Sequence, residues 1–211
     1  HPEYLRRVRA LCDRRGILLI ADEIAVGFGR TGARFACDLA DIVPDILCLG
    51  KALTGGTLPM SAAVATDEIY EAFRGQPGED KTFYDGHTFC GNPITSAAAL
   101  AFLDAFESEN VMGNVAERTA QLAEGFARIA RHSAVKFYKT LGLIGMIALK
   151  ADAGGAELAR RISNRALADG LFARPLGAAM YLWPPLTTTA GELQSMIGIL
   201  EKALESERNS P

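Results

Sequence analysis

Two charged residues follow two short apolar runs near the start of the chain. Asp22 comes directly after the run ILLIA (residues 17–21), and Lys51 comes directly after the run DILCLG (residues 45–50). Short, branched and largely apolar runs are typical of buried parallel strands. Ligands of open parallel sheets bind at the carboxyl ends of the strands. The sequence therefore predicts that Asp22 and Lys51 lie on one functional edge of one sheet.

An acid and a lysine placed in this way suit pyridoxal 5'-phosphate (PLP). A lysine amine forms a Schiff base with the aldehyde of this cofactor, and an acid keeps the pyridine nitrogen protonated, so that the ring withdraws electrons from the substrate. The lysine, once displaced by an amino substrate, can carry a proton as general base and acid. Each residue also has a plain structural interpretation, since an aspartate after a strand is often a turn residue and a lysine there is often solvated.

Composition and charge argue against several other classes of protein. The 211 residues are 49% apolar and 22% charged, as in ordinary globular domains. A formal net charge of -3 gives no reason to expect a nucleic-acid or anionic-membrane partner. No apolar run has the length of a membrane span, and the first ten residues lack the apolar core of a signal peptide. We expect a cytoplasmic protein that acts on small molecules, with no membrane and no nucleic acid as partner.

Metal and P-loop sites are not indicated either. The cysteines have none of the close spacings of a zinc site, and the histidines do not accompany them, so we expect no metal and reduced thiols at Cys12, Cys37, Cys48 and Cys90. A phosphate-binding P-loop around Lys51 would need glycine at position 45, which is Asp, and serine or threonine at position 52, which is Ala.

The remaining sequence predicts an α/β part followed by a smaller α+β part. Strands are expected over residues 17–21, 45–50 and 61–66, and then in the segments VKFYKT, LIGMIALK, LFARP and MYLWPP. Helices are expected over residues 2–15, 67–74, 93–107, 111–131, 155–169 and 190–206. Residues 75–89 form a long turn-rich loop, and such loops are often functional. We place the boundary so that residues 1–110 form the larger domain and residues 111–211 the smaller one.

Four segments together resemble a known family. The segment LLIADEIAVGFGRTG, followed by PDILCLGKALTGG, is similar to the signature of class III PLP-dependent aminotransferases, and the resemblance continues through GHTFCGNP and RPLGAAMYLWPP. It implies an α/β, fold-type I PLP-dependent transferase, with part of the large mostly parallel-sheet domain and a small C-terminal α+β domain. The last two segments resemble members that convert 8-amino-7-oxononanoate to 7,8-diaminononanoate in biotin biosynthesis, with S-adenosylmethionine as amino donor.

The resemblance implies a role for each matching site residue. Lys51 would hold the cofactor aldehyde and act as the catalytic amine, and Asp22 would pair with the pyridine nitrogen. Thr88 would bind the cofactor phosphate, here that of the neighbouring subunit in a homodimer. His87 would lie beside the phosphate, where relatives often have proline, and Gly86 would contact the keto substrate. Taken without the family, Thr88 is better interpreted as a turn hydroxyl.

The sequence indicates the roles of residues in the smaller domain less strongly. By resemblance Arg174 would receive the terminal carboxylate of the substrate, because a guanidinium matches a carboxylate with two parallel hydrogen bonds. Its position between an apolar run and Pro175 suggests poor solvation, although a surface arginine is the alternative. Tyr181 and Trp183 are expected in the core of the smaller domain. Glu23 is expected to orient the loop after the strand, without a catalytic role.

The resemblance is to the C-terminal half of such an enzyme. In the family, a preceding segment supplies the first strands of the sheet, a Gly-Ser phosphate-binding turn and most of the substrate tunnel. We therefore expect the chain by itself to expose a sheet edge and apolar faces, to be poorly soluble and to be inactive. The alternatives left open are another class III ω-amino acid aminotransferase, an aminomutase, or an inactive truncated fragment.

Overall fold

A computed structural model describes residues 1–76 and 78–209, which divide into two compact units. The first unit contains His1–Phe28 and Ala33–Glu109. The second unit contains the short segment Gly29–Gly32 together with the chain from Asn110 onward. Helices and strands occur in both units. The predicted α/β character is confirmed.

The first unit contains a three-stranded sheet. Its strands are β1 (Ile20–Asp22), β2 (Ile46–Leu49) and β3 (Ala62–Ala65), in the order β1-β2-β3. Strands β1 and β2 are parallel, with Asp22 opposite Cys48, as the sequence predicts for this pair. Strand β3 runs antiparallel to β2, whereas its sequence suggested a third strand of the same kind.

The apolar run before Asp22 is not buried within the described chain. Ile17 and Leu18 precede β1 and are exposed, and Ile20 within β1 is 59% exposed. Strand β1 lies at the edge of the described sheet, so its outer side has no neighbouring strand there. The prediction of a fully buried strand over residues 17–21 is therefore wrong for this chain, while the expected exposed sheet edge is present.

The helices of the first unit begin and end at the residues that local signals indicate. Helix α1 (Pro2–Arg15) has proline in its first turn and ends at Gly16, whose φ of 60° is left-handed. Helix α2 spans Asp67–Ala72. Helix α3 (Pro93–Ser108) begins after Asn92, whose side chain accepts hydrogen bonds from the main chain of its first turn. Two 3₁₀ helices, Ala36–Ala40 and Lys51–Thr54, complete this unit.

The starts of β1 and β2 are joined by a charged contact. The carboxylate Oδ2 of Asp45 accepts a hydrogen bond from the main-chain N–H of Leu19 at 2.6 Å and one from Arg9 Nη1, on α1, also at 2.6 Å. The N–H of Asp45 in turn donates to the carbonyl of Leu19 at 3.0 Å. This contact joins α1 to the two strands whose other ends carry Asp22 and Lys51.

The second unit contains a four-stranded antiparallel sheet and three helices. Its strands are β4 (Val135–Leu141), β5 (Ile144–Leu149), β6 (Pro175–Leu176) and β7 (Ala179–Leu182), in the order β4-β5-β7-β6. Its helices are α4 (Val111–Ile129), α5 (Gly155–Ala168) and α6 (Ala190–Glu205), followed by a 3₁₀ turn over Ser206–Asn209. The predicted helices are all present, with ends that differ by at most two residues.

Two expectations for the second unit are wrong. The segment LFARP is a strand only at Pro175, because before it the N–H of Ala173 bonds to the carbonyl of Leu171 in a local turn. Trp183 is 42% exposed and does not belong to the core, and Tyr181 is half-buried. The core instead contains the predicted apolar stripe of α4, which is Val115, Leu122, Phe126 and Ile129.

The Asp45 contact predicts a pH-dependent stability. The N–H of Leu19, and then Arg9, lower the pKa of Asp45 below its ordinary value. The folded state therefore prefers the ionised carboxylate, and its contribution to stability is present above the unfolded pKa of about 4 and is lost as the pH falls through the lower folded pKa. We expect Asp45→Asn to reduce the free energy of unfolding by about 1–2 kcal/mol at pH 7 and to reduce the difference in stability between pH 7 and pH 3.

Urea unfolding at the two pH values measures this effect. Asp104→Asn is the matched control, since Asp104 is exposed on α3 and should change little. Equal losses of stability for the two variants would contradict the prediction.

Candidate active site

Asp22 is the last residue of β1 and is exposed. Its Oδ1 accepts a hydrogen bond from the N–H of Ile24 at 3.0 Å, which fixes the carboxylate above the turn that follows the strand. Among the described residues no hydrogen bond is made by its second oxygen, Oδ2. The interpretation of Asp22 as a turn residue is therefore correct for Oδ1, whereas Oδ2 is available to a ligand.

Lys51 follows β2 after a single residue, Gly50, and begins a 3₁₀ helix. Its φ of 45° lies in the left-handed region, which is uncommon and costly for a residue with a side chain, and which Phe28, Asp41 and Asn110 also adopt. The side chain is exposed, and within residues 1–76 and 78–209 it forms no ion pair. Lys51 thus carries an amine that the described chain leaves accessible.

Contacts behind Lys51 support this strained backbone. Gly50 lies against the turn that follows β1, since a Cβ on Gly50 would be 3.2 Å from the Cγ2 of Ile24. At the other end of the 3₁₀ helix, the buried hydroxyl of Thr54 donates to the carbonyl of Leu58 at 2.5 Å. The 3₁₀ helix also packs on α3, where Phe102 approaches Gly55.

The structure brings Asp22 and Lys51 to the same edge of the sheet. The two strands are hydrogen-bonded and parallel, so their carboxyl ends point in one direction, and neighbouring strands lie about 4.8 Å apart. An exposed carboxylate and an exposed primary amine at one edge of a sheet can bind a ligand that has a basic ring nitrogen and an electrophilic carbon. This is the arrangement that the sequence predicts.

Glu23 is buried beside Asp22, with only 2% of its surface exposed. Its two carboxylate oxygens accept hydrogen bonds from the N–H groups of Ala36 at 2.6 Å and Cys37 at 2.8 Å. These bonds join the end of β1 to the 3₁₀ helix Ala36–Ala40, as would be expected of a residue that orients the loop between them. Burial, with a smaller contribution from Glu23, raises the pKa of the Cys37 thiol to about 12.

The loop residues Gly86, His87 and Thr88 are exposed, as is the whole stretch 81–90. The ring of His87 lies 5.7 Å from that of Phe89, and its Nδ1 accepts the N–H of Phe89 at 3.2 Å. No hydrogen bond or ion pair within the described part of the chain joins these loop residues to Asp22 or Lys51. Their predicted roles at a cofactor phosphate stay predictions.

Arg174 lies in the second unit, immediately before β6, and is exposed. The expectation of poor solvation at this position is wrong, because burial ends at the preceding residue. Ala173 is buried, and its carbonyl accepts a hydrogen bond from Ser163 Oγ on α5 at 2.7 Å. Helix α5 therefore anchors the main chain directly before Arg174 and leaves the guanidinium accessible.

Arg30 has contacts that the sequence did not reveal. Its guanidinium donates to the carbonyls of Leu143 at 3.1 Å and Pro184 at 2.6 Å, and lies 5.3 Å from the ring of Trp183. Burial lowers the pKa of Arg30 to about 10. The only local signal for Arg30 is its place in the run GFGRTG, within the segment that resembles the family signature.

Among residues 1–76 and 78–209, no group of three or more His, Cys, Asp and Glu side chains is arranged as a metal site would require. In the same residues, every helix is too short or too polar to cross a bilayer.

The chain is similar to proteins of one family over almost all of its length. Residues 1–204 match the family described as "Aminotransferase class-III". Among curated relatives, the adenosylmethionine-8-amino-7-oxononanoate aminotransferases of Geobacter sulfurreducens and Synechococcus elongatus are each 42% identical to it, over 97% of this chain and 47% and 48% of their own lengths. The chain thus spans about half the length of these relatives.

Solved structures of aminotransferases are also similar to this chain over almost all of its length. The enzyme of that name from Methanocaldococcus jannaschii has a TM-score of 0.89 and 36% identity, over 96% of this chain and 49% of the other. An amine transaminase from an uncultivated Pseudomonas species, in a PLP-bound form, has a TM-score of 0.89 and 37% identity, over 97% of this chain and 48% of the other.

The burial of Cys37 predicts a difference in thiol reactivity. Because burial and Glu23 raise its pKa to about 12, the reactive thiolate is scarce at pH 8, and we expect Cys37 to resist iodoacetamide in the folded chain. Cys90 is the matched control, since it is exposed. Peptide mass spectrometry of a timed reaction would measure both. Equal rates at the two cysteines before unfolding would contradict the burial of Cys37.

Proposed function

The chain belongs to the class III aminotransferase family, and on this premise we propose that it supplies the lysine-bearing part of a PLP-dependent transaminase. The reaction that we propose is the conversion of 8-amino-7-oxononanoate to 7,8-diaminononanoate in biotin biosynthesis, with S-adenosylmethionine as the amino donor. The observation that carries the proposal is the placement of Asp22 and Lys51 at the carboxyl ends of two paired parallel strands.

The residues at this edge fit PLP, the cofactor of the family. Asp22 has one carboxylate oxygen without a hydrogen bond among the described residues, which suits a protonated ring nitrogen. Lys51 presents an exposed amine on a backbone whose left-handed conformation is held by its neighbours. When bound, PLP supplies an electron sink that stabilises negative charge on the substrate carbon after a proton leaves.

The chain's own groups have distinct tasks in this proposal. The negative charge of Asp22 would keep a proton on the ring nitrogen, because a neighbouring opposite charge favours the cationic form. The amine of Lys51 would hold the cofactor through its aldehyde carbon, with release of the aldehyde oxygen as water. Once an amino substrate has taken its place, the freed amine would accept the proton from the substrate carbon and donate it again.

We further propose that Arg174 binds the terminal carboxylate of the acceptor and that Gly86 contacts this substrate. The guanidinium of Arg174 is exposed, and its forked donors match a carboxylate. The relatives' names specify both 8-amino-7-oxononanoate and adenosylmethionine, which supports the choice of substrates. The free cysteines are in keeping with a cytoplasmic location, which cell fractionation would test.

A homodimer is the proposed assembly, with His87 and Thr88 at the phosphate of the partner's cofactor. Residues 81–90, which include them, are all exposed, among them the aromatic side chains of Phe83, Tyr84 and Phe89. Exposed large apolar side chains are typical of surfaces that contact another protein. Sedimentation that finds only monomers at the concentration of the activity assay would contradict this assembly.

A transaminase for other ω-amines is a second candidate. The chain is 37% identical to the amine transaminase structure and 36% identical to the structure of the biotin-pathway enzyme, so identity does not separate the two candidates. The chain also shares its fold with an ornithine aminotransferase, at a TM-score of 0.86. Both candidates use the same Asp22 and Lys51 and differ in the amino donor.

Trapping of the cofactor tests the shared part of the proposal. The purified chain is mixed with PLP, reduced with borohydride and digested, and mass spectrometry locates the modified lysine. We expect a visible absorption band and modification at Lys51, both lost in Lys51→Ala and both retained in Lys136→Ala, a change at an exposed lysine of β4. A chain with no band, or with equal modification of both lysines, would contradict a PLP site built by this chain.

Amino donors then separate the two candidates. Loss of the absorption band with S-adenosylmethionine but not with ornithine or alanine would support the biotin pathway. The reverse pattern would support the second candidate. A PLP-bound chain that reacts with none of the three would show that this half of the enzyme binds the cofactor without catalysing transamination.

A further inference from the structure

We propose that Glu23 is a positioning residue for Asp22. Its buried carboxylate holds the turn after β1 in one conformation, and that turn fixes the direction in which the Asp22 carboxylate faces a ring nitrogen. The inference rests on the proposed function, because it takes the cofactor's pyridine nitrogen as the partner of Asp22.

The carboxylate of Glu23 is fully engaged with main-chain donors. Oε2 accepts from the N–H of Ala36 and Oε1 from the N–H of Cys37, and these two residues form the start of the 3₁₀ helix Ala36–Ala40. The N–H groups of a helix's first turn have no partner within the helix and carry partial positive charge. A buried carboxylate is costly unless such donors satisfy it, so Glu23 and this helix start stabilise each other.

The main chain of Glu23 is held as well. Its N–H donates to the carbonyl of Cys48 at 3.0 Å, which extends the β1–β2 pairing by one residue beyond Asp22. Its carbonyl accepts from the N–H of Gly27 at 2.9 Å. A Cβ on Gly27 would lie 3.0 Å from that carbonyl oxygen, so a side chain here would need the turn to shift by a few tenths of an ångström.

Asp22 depends on this turn through one hydrogen bond. The N–H of Ile24 donates to Asp22 Oδ1 at 3.0 Å, so the position of that N–H sets the rotation of the carboxylate. Ile24 is held in turn by Glu23, whose side chain and main chain are both fixed. The order of dependence runs from Ala36 and Cys37 through Glu23 to Ile24, and then to the carboxylate of Asp22.

A purely structural role for Glu23 has a different consequence. If Glu23 only held the loop together, its loss would weaken every ligand of the site in the same proportion. A positioning role acts through Asp22, and Asp22 acts on the ring nitrogen alone. The two roles are therefore separated by comparing PLP with an analogue in which carbon replaces the ring nitrogen.

The test uses Glu23→Gln, which keeps the shape of the side chain but replaces one accepting oxygen with a donor. We expect this variant to raise the dissociation constant of PLP about tenfold, the effect of losing one hydrogen bond to a charged group, and to leave that of the carbon analogue unchanged. In an Asp22→Asn background, Glu23→Gln should have no further effect on PLP. Spectrophotometric titration measures each constant.

Asp38→Asn is the matched control. Asp38 accepts the N–H of Phe35 at 2.9 Å at the start of the same 3₁₀ helix and has no link to Ile24 or Asp22 among the described contacts. This change should alter neither dissociation constant. Equal weakening of PLP and of the analogue by Glu23→Gln would show a structural role only and would overturn the proposal.

Amide hydrogen exchange of the chain without cofactor keeps the proposal testable if the chain binds no PLP. We expect Glu23→Gln to speed exchange at the N–H of Ile24 about tenfold, and Asp38→Asn to leave it unchanged. Unaltered exchange at Ile24 would overturn the positioning role whatever the cofactor result. Faster exchange in a chain that binds neither PLP nor its analogue would support the positioning role and count against the proposed function alone.

Discussion

The parallel pairing of β1 with β2 is the constraint on which the candidate site depends. Asp22 and Lys51 are far apart in the sequence, and only the register that sets Asp22 opposite Cys48 brings them to one edge. A slip of one residue would turn the side chain of Asp22 to the other face of the sheet. The register is held at the start of the strands by Asp45, and beyond their end by the bond from Glu23 to Cys48.

The two site residues are supported in different ways. Lys51 has a strained backbone, and the structure stabilises it through a tight approach at Gly50 and a buried hydroxyl at Thr54. Asp22 is in an ordinary strand conformation, and its support is the buried charge of Glu23 in the following turn. A left-handed backbone costs stability at a residue with a side chain, and a buried carboxylate does so unless donors satisfy it, as the N–H groups of Ala36 and Cys37 satisfy Glu23.

The sheet of the first unit has apolar surface that the described chain does not cover. Ile17, Leu18 and Ile20 are exposed at the β1 edge, and Val64 is exposed on β3. Such residues are typical of strands that are buried on both faces. The chain spans about half the length of its curated relatives, whose remaining halves have no counterpart in it. The sequence pattern thus indicates more burial than these residues provide for one another.

Some features of this protein were determined by the sequence alone. Proline, asparagine and glycine at helix ends, and the apolar stripe of α4, act over one or two turns, so the helices could be predicted closely. The strand ends that carry Asp22 and Lys51 were predictable for the same reason. The sequence motif around Asp22 and Lys51 is sufficient to indicate the family without any knowledge of tertiary contacts.

Other features were decided only by the tertiary structure, because their partners are distant in the sequence. Glu23 bonds to residues 13 and 14 positions away, and Arg30 to carbonyls 113 and 154 positions away. The sequence next to a residue does not indicate partners so far away along the chain. The burial of Glu23 and the membership of Arg30 in the second unit were therefore not predictable. The exposure of Arg174 and Trp183 was likewise set by where the chain around them packs, since a neighbouring apolar run in the sequence need not be a neighbour in the fold.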